Sequence, residues 1–125
     1  MTGPLGAPDN CRCTLCRKQT GRYLASTDVP RTALAVTGAV TGFQSSPKVR
    51  RGFCAACGST LFWDPVFRDW IGVATGAFDG PTGWRWHELS LSRNRATGVT
   101  LARHILVAHK GEYYTVADGL PQNPQ

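Results

Sequence analysis

The chain has 125 residues, five cysteines, and fourteen Lys plus Arg against eight Asp plus Glu. That length suits one domain, and 42% hydrophobic against 18% charged residues excludes a disordered chain. No apolar run approaches the roughly 18–20 residues of a membrane span, so no membrane partner is expected.

Residues 1–10 carry neither a basic flank nor a hydrophobic stretch, which argues against a signal peptide and for the cytoplasm. After them, a helical turn is predicted over 15–19, stopped by Gly21. Short runs rich in Val, Ile, Thr and aromatics predict strands over 22–26, 33–37, 49–53, 60–63, 70–75, 88–91, 103–108 and 112–116. Gly and Pro punctuate the spaces between them, and no long window holds a 3.6-residue apolar period. The expected fold is mainly β, a single domain over 1–125 with several small antiparallel sheets. Residues 121–125 are expected to form a frayed tail.

The formal charge of +6 is unevenly spread. Arg12, Arg17, Lys18 and Arg22 form one basic cluster, and Lys48, Arg50 and Arg51 another. Each stands beside a cysteine group, where cations offset thiolate charge. No long basic run and no basic stretch interleaved with aromatics occurs, so a small anion ranks above nucleic acid as partner.

The cysteines fall into two groups, Cys11-x-Cys13-x2-Cys16 and Cys54-x2-Cys57. A C-x2-C knuckle turns both sulfurs toward one ion, and Ala55, Ala56 and Gly58 permit the tight turn. An odd number of cysteines fits poorly with a closed disulfide framework, whereas metal binding fits the spacing. Two partitions are open. Cys13, Cys16, Cys54 and Cys57 can make a four-thiolate structural zinc ribbon with Cys11 spare. Alternatively, Cys11, Cys13 and Cys16 make a three-thiolate site with zinc's fourth position free.

Two stretches, Cys11-Arg-Cys-Thr-Leu-Cys-Arg-Lys-Gln-Thr-Gly21 and Gly52-Phe-Cys-Ala-Ala-Cys-Gly-Ser-Thr-Leu-Phe62, resemble the glutathione-dependent formaldehyde-activating enzyme family. That family also includes centromere protein V. The resemblance continues through 76–80 and 103–122. It implies several coiled sheets around zinc, with a catalytic ion on Cys11, Cys13 and Cys16. It also implies a structural zinc on Cys54 and Cys57, completed in the family by an upstream Cys-x-Cys-Gly. None of residues 1–10 is a cysteine, so two of that site's four ligands lack a counterpart. Arg12 stands where relatives often carry His, which alters the surroundings of the triplet rather than its ligands. Residues 84–100 read as an insertion, holding Trp84, Trp86 and His87.

The implied activity is that of a carbon–sulfur lyase, the reversible condensation of glutathione with formaldehyde. Arg17, Lys18, Arg50 and Arg51 are the expected contacts for glutathione's carboxylates. His104 is expected to be a hydrogen-bonded structural residue, His109 a turn residue, and Asp79 a turn residue as well. Of Tyr113 and Tyr114, one is expected to pack and the other to reach solvent or the site. The alternatives are a non-catalytic zinc module for an anionic polymer or protein partner, and an inactive truncated member of the family. Homo-oligomerisation is open.

Overall fold

From Val40 to Ala74 the chain folds as a four-stranded antiparallel meander, in the computed structural model that describes residues 5–78 and 102–125. The strands are β1 (Asp9–Cys11), β2 (Leu24–Pro30), β3 (Val40–Ser46), β4 (Val49–Cys54), β5 (Thr60–Pro65), β6 (Trp70–Ala74) and β7 (Arg103–Ile105). The α-helix among the described residues, α1, spans Thr14–Thr20. None of those residues lies in a helix long and apolar enough to cross a membrane.

The fold is mainly β, as expected, but the strands join into one seven-stranded sheet rather than several. Its order is β3-β4-β5-β6-β2-β1-β7. β2 returns along β6, with Ser26 opposite Ala74 and Pro30 opposite Trp70. β1 then pairs antiparallel with β2 and parallel with β7. Three-residue β1 is thereby clasped between a neighbour in sequence and one from the far end of the chain.

Side chains alternate across this sheet and build two apolar clusters. One holds Val29, Leu61, Phe62, Ile71 and Val73, with Leu5, Leu34, Cys54 and Phe78 packed around it. The other holds Cys16, Leu24 and Ala74, with Cys11, Cys13 and Trp63 beside them. Burying each large apolar side chain contributes roughly 1.5–3 kcal/mol. Gly52 is required where β4 pairs with β5, because a Cβ there would stand 2.8 Å from the ring of Phe62, its cross-strand partner.

Several predicted boundaries differ. Residues 33–37 form no strand; a 3-10 turn at Arg31–Ala33 runs into them, and Val36 is exposed and pairs with no strand among the described residues. β3 escapes the apolar pattern because Val40–Phe43 point largely to solvent, and its pairing with β4 makes it a strand. β7 stops at Ile105, since Leu106 adopts a left-handed φ of 57° and a 3-10 turn follows at Val107–His109. Residues 112–116 form a loop rather than a strand. The tail is bonded rather than frayed: His104 N–H donates to Pro121 O at 2.8 Å and Asn123 N–H to His104 O at 2.9 Å. It therefore covers the edge that β7 would otherwise expose. The predicted strand over 88–91, the insertion 84–100, His87 and Asp79 lie outside the described residues.

Candidate metal centre

Cys11 ends β1, Cys13 caps α1, and Cys16 lies within the first turn of that helix. Arg17, Lys18 and Gln19 favour helix, with both cations in the last turn where the dipole suits them. Gly21, at φ 83°, ends the helix by donating its N–H to Arg17 O at 2.8 Å. A strand end followed by one helical turn curls the three side chains inward. Their sulfurs lie within 4.8 Å of one another. Zinc with Zn–S bonds of about 2.3 Å sets tetrahedral sulfurs about 3.8 Å apart, so one ion fits with small adjustments. Cys16 is buried, while Cys11 and Cys13 are half-buried.

The local field favours a negative sulfur at Cys13. The Cys16 N–H donates to Cys13 Sγ at 3.4 Å. Hydrogen bonds from the Cys11 and Cys16 thiols hold Cys13 far below the ordinary thiol range. Cys11 is pushed far up, by its bonds to Cys13 and then Cys16, and by burial. For Cys16 the pull downward from Cys11 is outweighed by Cys13 and by burial, so it too is raised.

Arg51 reaches this centre from β4. It is only 4% exposed, and both terminal nitrogens stand near Cys16 Sγ, at 3.6 and 3.7 Å. Gln19 Oε1 accepts from the same guanidinium at 2.9 Å and fixes its orientation. Arg50, on the opposite face of the strand, instead pairs with Asp64 at 2.7 Å, an acid that also binds Arg31. Lys18 is exposed, and Arg17 is half-buried, its Nε without a partner among the described residues. Of the four cations expected to meet a carboxylate, Arg51 therefore touches the thiol cluster itself, and Arg17 and Lys18 flank it on α1.

Cys54 and Cys57 form the knuckle that joins β4 to β5. Gly58, at φ 76°, closes it by donating to Cys54 O at 2.8 Å. Cys57 is exposed; its sulfur lies 3.1 Å from Ser59 Oγ, and bonds from Ser59, then from Cys54, lower its pKa. Cys54 packs with the other apolar cluster, away from Cys16. Among the described residues, the three-thiol group forms from Cys11, Cys13 and Cys16, and the four-thiolate ribbon is not assembled.

The remaining candidates have clear placements. His104 is buried between Asn10 Nδ2, 3.2 Å from its Nδ1, and the Asp118 carboxylate, 2.7 Å from its Nε2. It ties β1 and β7 to the C-terminal loop, which is the structural role expected. His109 is exposed at the end of its turn. Tyr113 is exposed and donates to Gly21 O at 3.0 Å, whereas Tyr114 is half-buried. Arg12 and Tyr23 are placed where no local pattern predicts. Arg12 is 2% exposed, and its guanidinium lies over the Tyr23 ring, 4.7 Å from the centroid.

No curated protein matches the chain. A protein-family model does: the one described as glutathione-dependent formaldehyde-activating enzyme covers residues 2–89, a segment that contains all five cysteines. With the three converging thiols inside a match of that extent, the chain belongs to the glutathione-dependent formaldehyde-activating enzyme family.

Proposed function

We propose that this chain is a zinc-dependent carbon–sulfur lyase of the S-hydroxymethylglutathione synthase type. It would interconvert glutathione plus formaldehyde and their adduct. The observation that carries this reading is the convergence of the Cys11, Cys13 and Cys16 sulfurs inside the family segment. Three thiols suit zinc by donor type and spacing, and they leave one tetrahedral position for a fourth ligand. Zinc bound there supplies the charge that keeps an incoming thiol deprotonated at neutral pH.

The protein's own residues do the rest. Arg51 offsets the negative charge of Cys16, and Gln19 holds Arg51 in place. Burial of Cys16 and Leu24 keeps water from the inner side of the centre. Arg17 and Lys18, on the last turn of α1, are the contacts proposed for one substrate carboxylate. Cys54 and Cys57 offer two ligands for a second, structural zinc. In the forward direction the substrate sulfur forms a bond to the aldehyde carbon. The carbonyl π pair moves onto oxygen, which takes a proton, and the reverse reaction breaks that C–S bond. The overall change is neither oxidation nor reduction.

Thiols and formaldehyde also combine unaided, so the test is a rate. Exchange NMR on S-hydroxymethylglutathione is expected to show faster interconversion with the zinc-loaded protein than in buffer. Cys13→Ser should return the rate to that of buffer. Equal rates with and without the wild-type protein would overturn the reading.

A further inference from the structure

The sheet face turned away from the thiols holds a cavity of about 230 Å³ beside β3, β4 and β5. Gly42 pairs with Gly52, Gly52 with Phe62 and Arg50 with Asp64, which puts all of these positions on the face opposite the Arg51 side chain. Val40, Phe62 and Ile71 line the cavity with apolar surface, Gly42 and Gly52 with bare backbone, and Arg50 and Asp64 with charge. Two glycines thus face one another in strand interiors, where glycine is unfavourable. Neither has the positive φ that demands it. At Gly52 the Phe62 ring is the reason, but at Gly42 a Cβ would meet no side chain within 4 Å, only the Arg51 carbonyl at 3.2 Å. The missing side chain at Gly42 preserves open space over the backbone, as at a site where a ligand comes close.

The charge around this space is unbalanced. Asp64 is 8% exposed and receives two guanidiniums, Arg31 on Oδ1 and Arg50 on Oδ2. Two cations on one carboxylate leave a positive charge over. Arg31 also donates to Arg68 O and Pro65 O. Arg50 binds Asp64 through Nε at 3.0 Å and Nη2 at 2.7 Å, and its Nη1 makes no hydrogen bond among the described residues. We propose that this cavity binds a small aromatic carboxylate, with the ring against Phe62 and the glycine backbone and the carboxylate on Arg50. It is a second ligand site, across β4 from the thiol centre, and it does not rest on the thiol reading.

Size and chemistry support the assignment. An apolar cavity of roughly 150 Å³ accepts benzene, so this one has room for one ring and a carboxylate. The ring packs offset or edge-on against Phe62 and fills the space that Gly42 leaves over its backbone. The carboxylate takes the charge-assisted bond that Arg50 Nη1 can still donate, and this bond sets the ligand's orientation. Val40 and Arg50 are exposed, and the ligand enters past them, whereas Phe62 and Ile71 are buried and form the inner wall.

The test uses the full chain, zinc-loaded, titrated with benzoate, benzamide and acetate while backbone amide NMR signals are followed. Benzoate is expected to shift the Gly42 and Gly52 amides. It should bind at least tenfold tighter than benzamide, which lacks the charge, or acetate, which lacks the ring. Arg50→Gln should reduce benzoate to the level of benzamide, and Arg50→Lys should restore part of the difference. If Arg50→Gln fails to fold for want of a partner for Asp64, Val40→Trp serves instead. It fills the cavity from an exposed position, leaves the ion pair intact, and should weaken benzoate at least tenfold. Equal binding of benzoate and benzamide by the wild type overturns the site, as does a preference that survives these variants. Benzoate shifts confined to Cys11–Cys16 overturn it too, since the carboxylate would then sit on the zinc.

Discussion

Arg51 of β4 and Cys16 of α1 meet in the fold, with both terminal nitrogens of the guanidinium within 3.7 Å of a sulfur that lies in the first turn of the helix. The contact joins the meander to the thiol centre. It places a permanent positive charge against the most buried of the three candidate ligands, where solvent screens it least.

Arg51→Met should therefore weaken zinc binding by about 10–100-fold, the range for losing a partner of a ligand, while the sheet persists. Arg51→Lys, which keeps the charge without the second donor, should fall between the two. Competition against a chelator of known affinity measures this. An unchanged affinity in Arg51→Met would show that the guanidinium serves packing only.

Ligand substitutions should separate the two cysteine groups. Cys13→Ser and Cys16→Ser are expected to remove the zinc of the three-thiol centre, and Cys13→Ser does so with the cap of α1 kept, since a serine hydroxyl accepts the Cys16 N–H in place of the sulfur. Cys57→Ser, altering an exposed side chain away from that group, should leave this zinc in place. Metal analysis after gel filtration gives the answer. Loss of all zinc in Cys57→Ser would mean that the knuckle takes part in the first site.

Gly52→Ala tests the pairing of β4 with β5 at Gly52 and Phe62. The added methyl would stand 2.8 Å from Phe62 Cδ2 and 3.2 Å from its Cβ, so a buried ring must move. Overpacking of this kind costs about 1–3 kcal/mol, to be read as a lower urea midpoint at unchanged slope. A variant as stable as the wild type would mean that Phe62 relaxes freely.

The His104–Asp118 contact should give a pH-dependent support to the C-terminal loop. Asp118 is partly desolvated, which raises its pKa, but the hydrogen bonds from His104 and from the Leu120 N–H prevail and lower it. A folded value below the ordinary 3.8 means that the contribution is present above pH 3.8 and lost as the pH falls through the folded value. Asp118→Asn should thus be less stable than the wild type at pH 6, with the difference closing in acid. A difference constant from pH 6 to pH 3 would contradict this. Arg103→Gln, which breaks a pair on the exposed rim of β7, should change stability little at pH 6.

Much of the centre was legible because its signals are local. The spacing of Cys11, Cys13 and Cys16, with Gly21 just beyond, marks the ligands and a short helical turn, whereas β1, which positions Cys11, carries no local signal and forms by pairing with β2 and β7. Strands β4, β5 and β6 announce themselves by aromatic and β-branched alternation. β3 does not: Thr41, Gly42 and Gln44 carry no apolar pattern, and hydrogen bonding to β4 decides their conformation. The tail at Pro121–Asn123 is fixed in the same way, by the free edge of β7. Distance in sequence hides the rest. Nothing near Arg51 says that it will meet Cys16, and nothing near Tyr23 says that it will share a cation with Tyr114. Those contacts exist only once the sheet has ordered its strands. The split of Arg50 and Arg51 follows from strand alternation, yet which of them faces the thiols depends on where α1 packs.

Zinc K-edge X-ray absorption tests the central claim most directly, on protein carrying C54S/C57S and one equivalent of zinc. Three sulfurs at about 2.3 Å with one lighter ligand are expected, changing to four sulfurs when glutathione is added. Four sulfurs before any thiol is added, or a spectrum that glutathione leaves unchanged, would contradict a three-thiol centre with a position open to substrate.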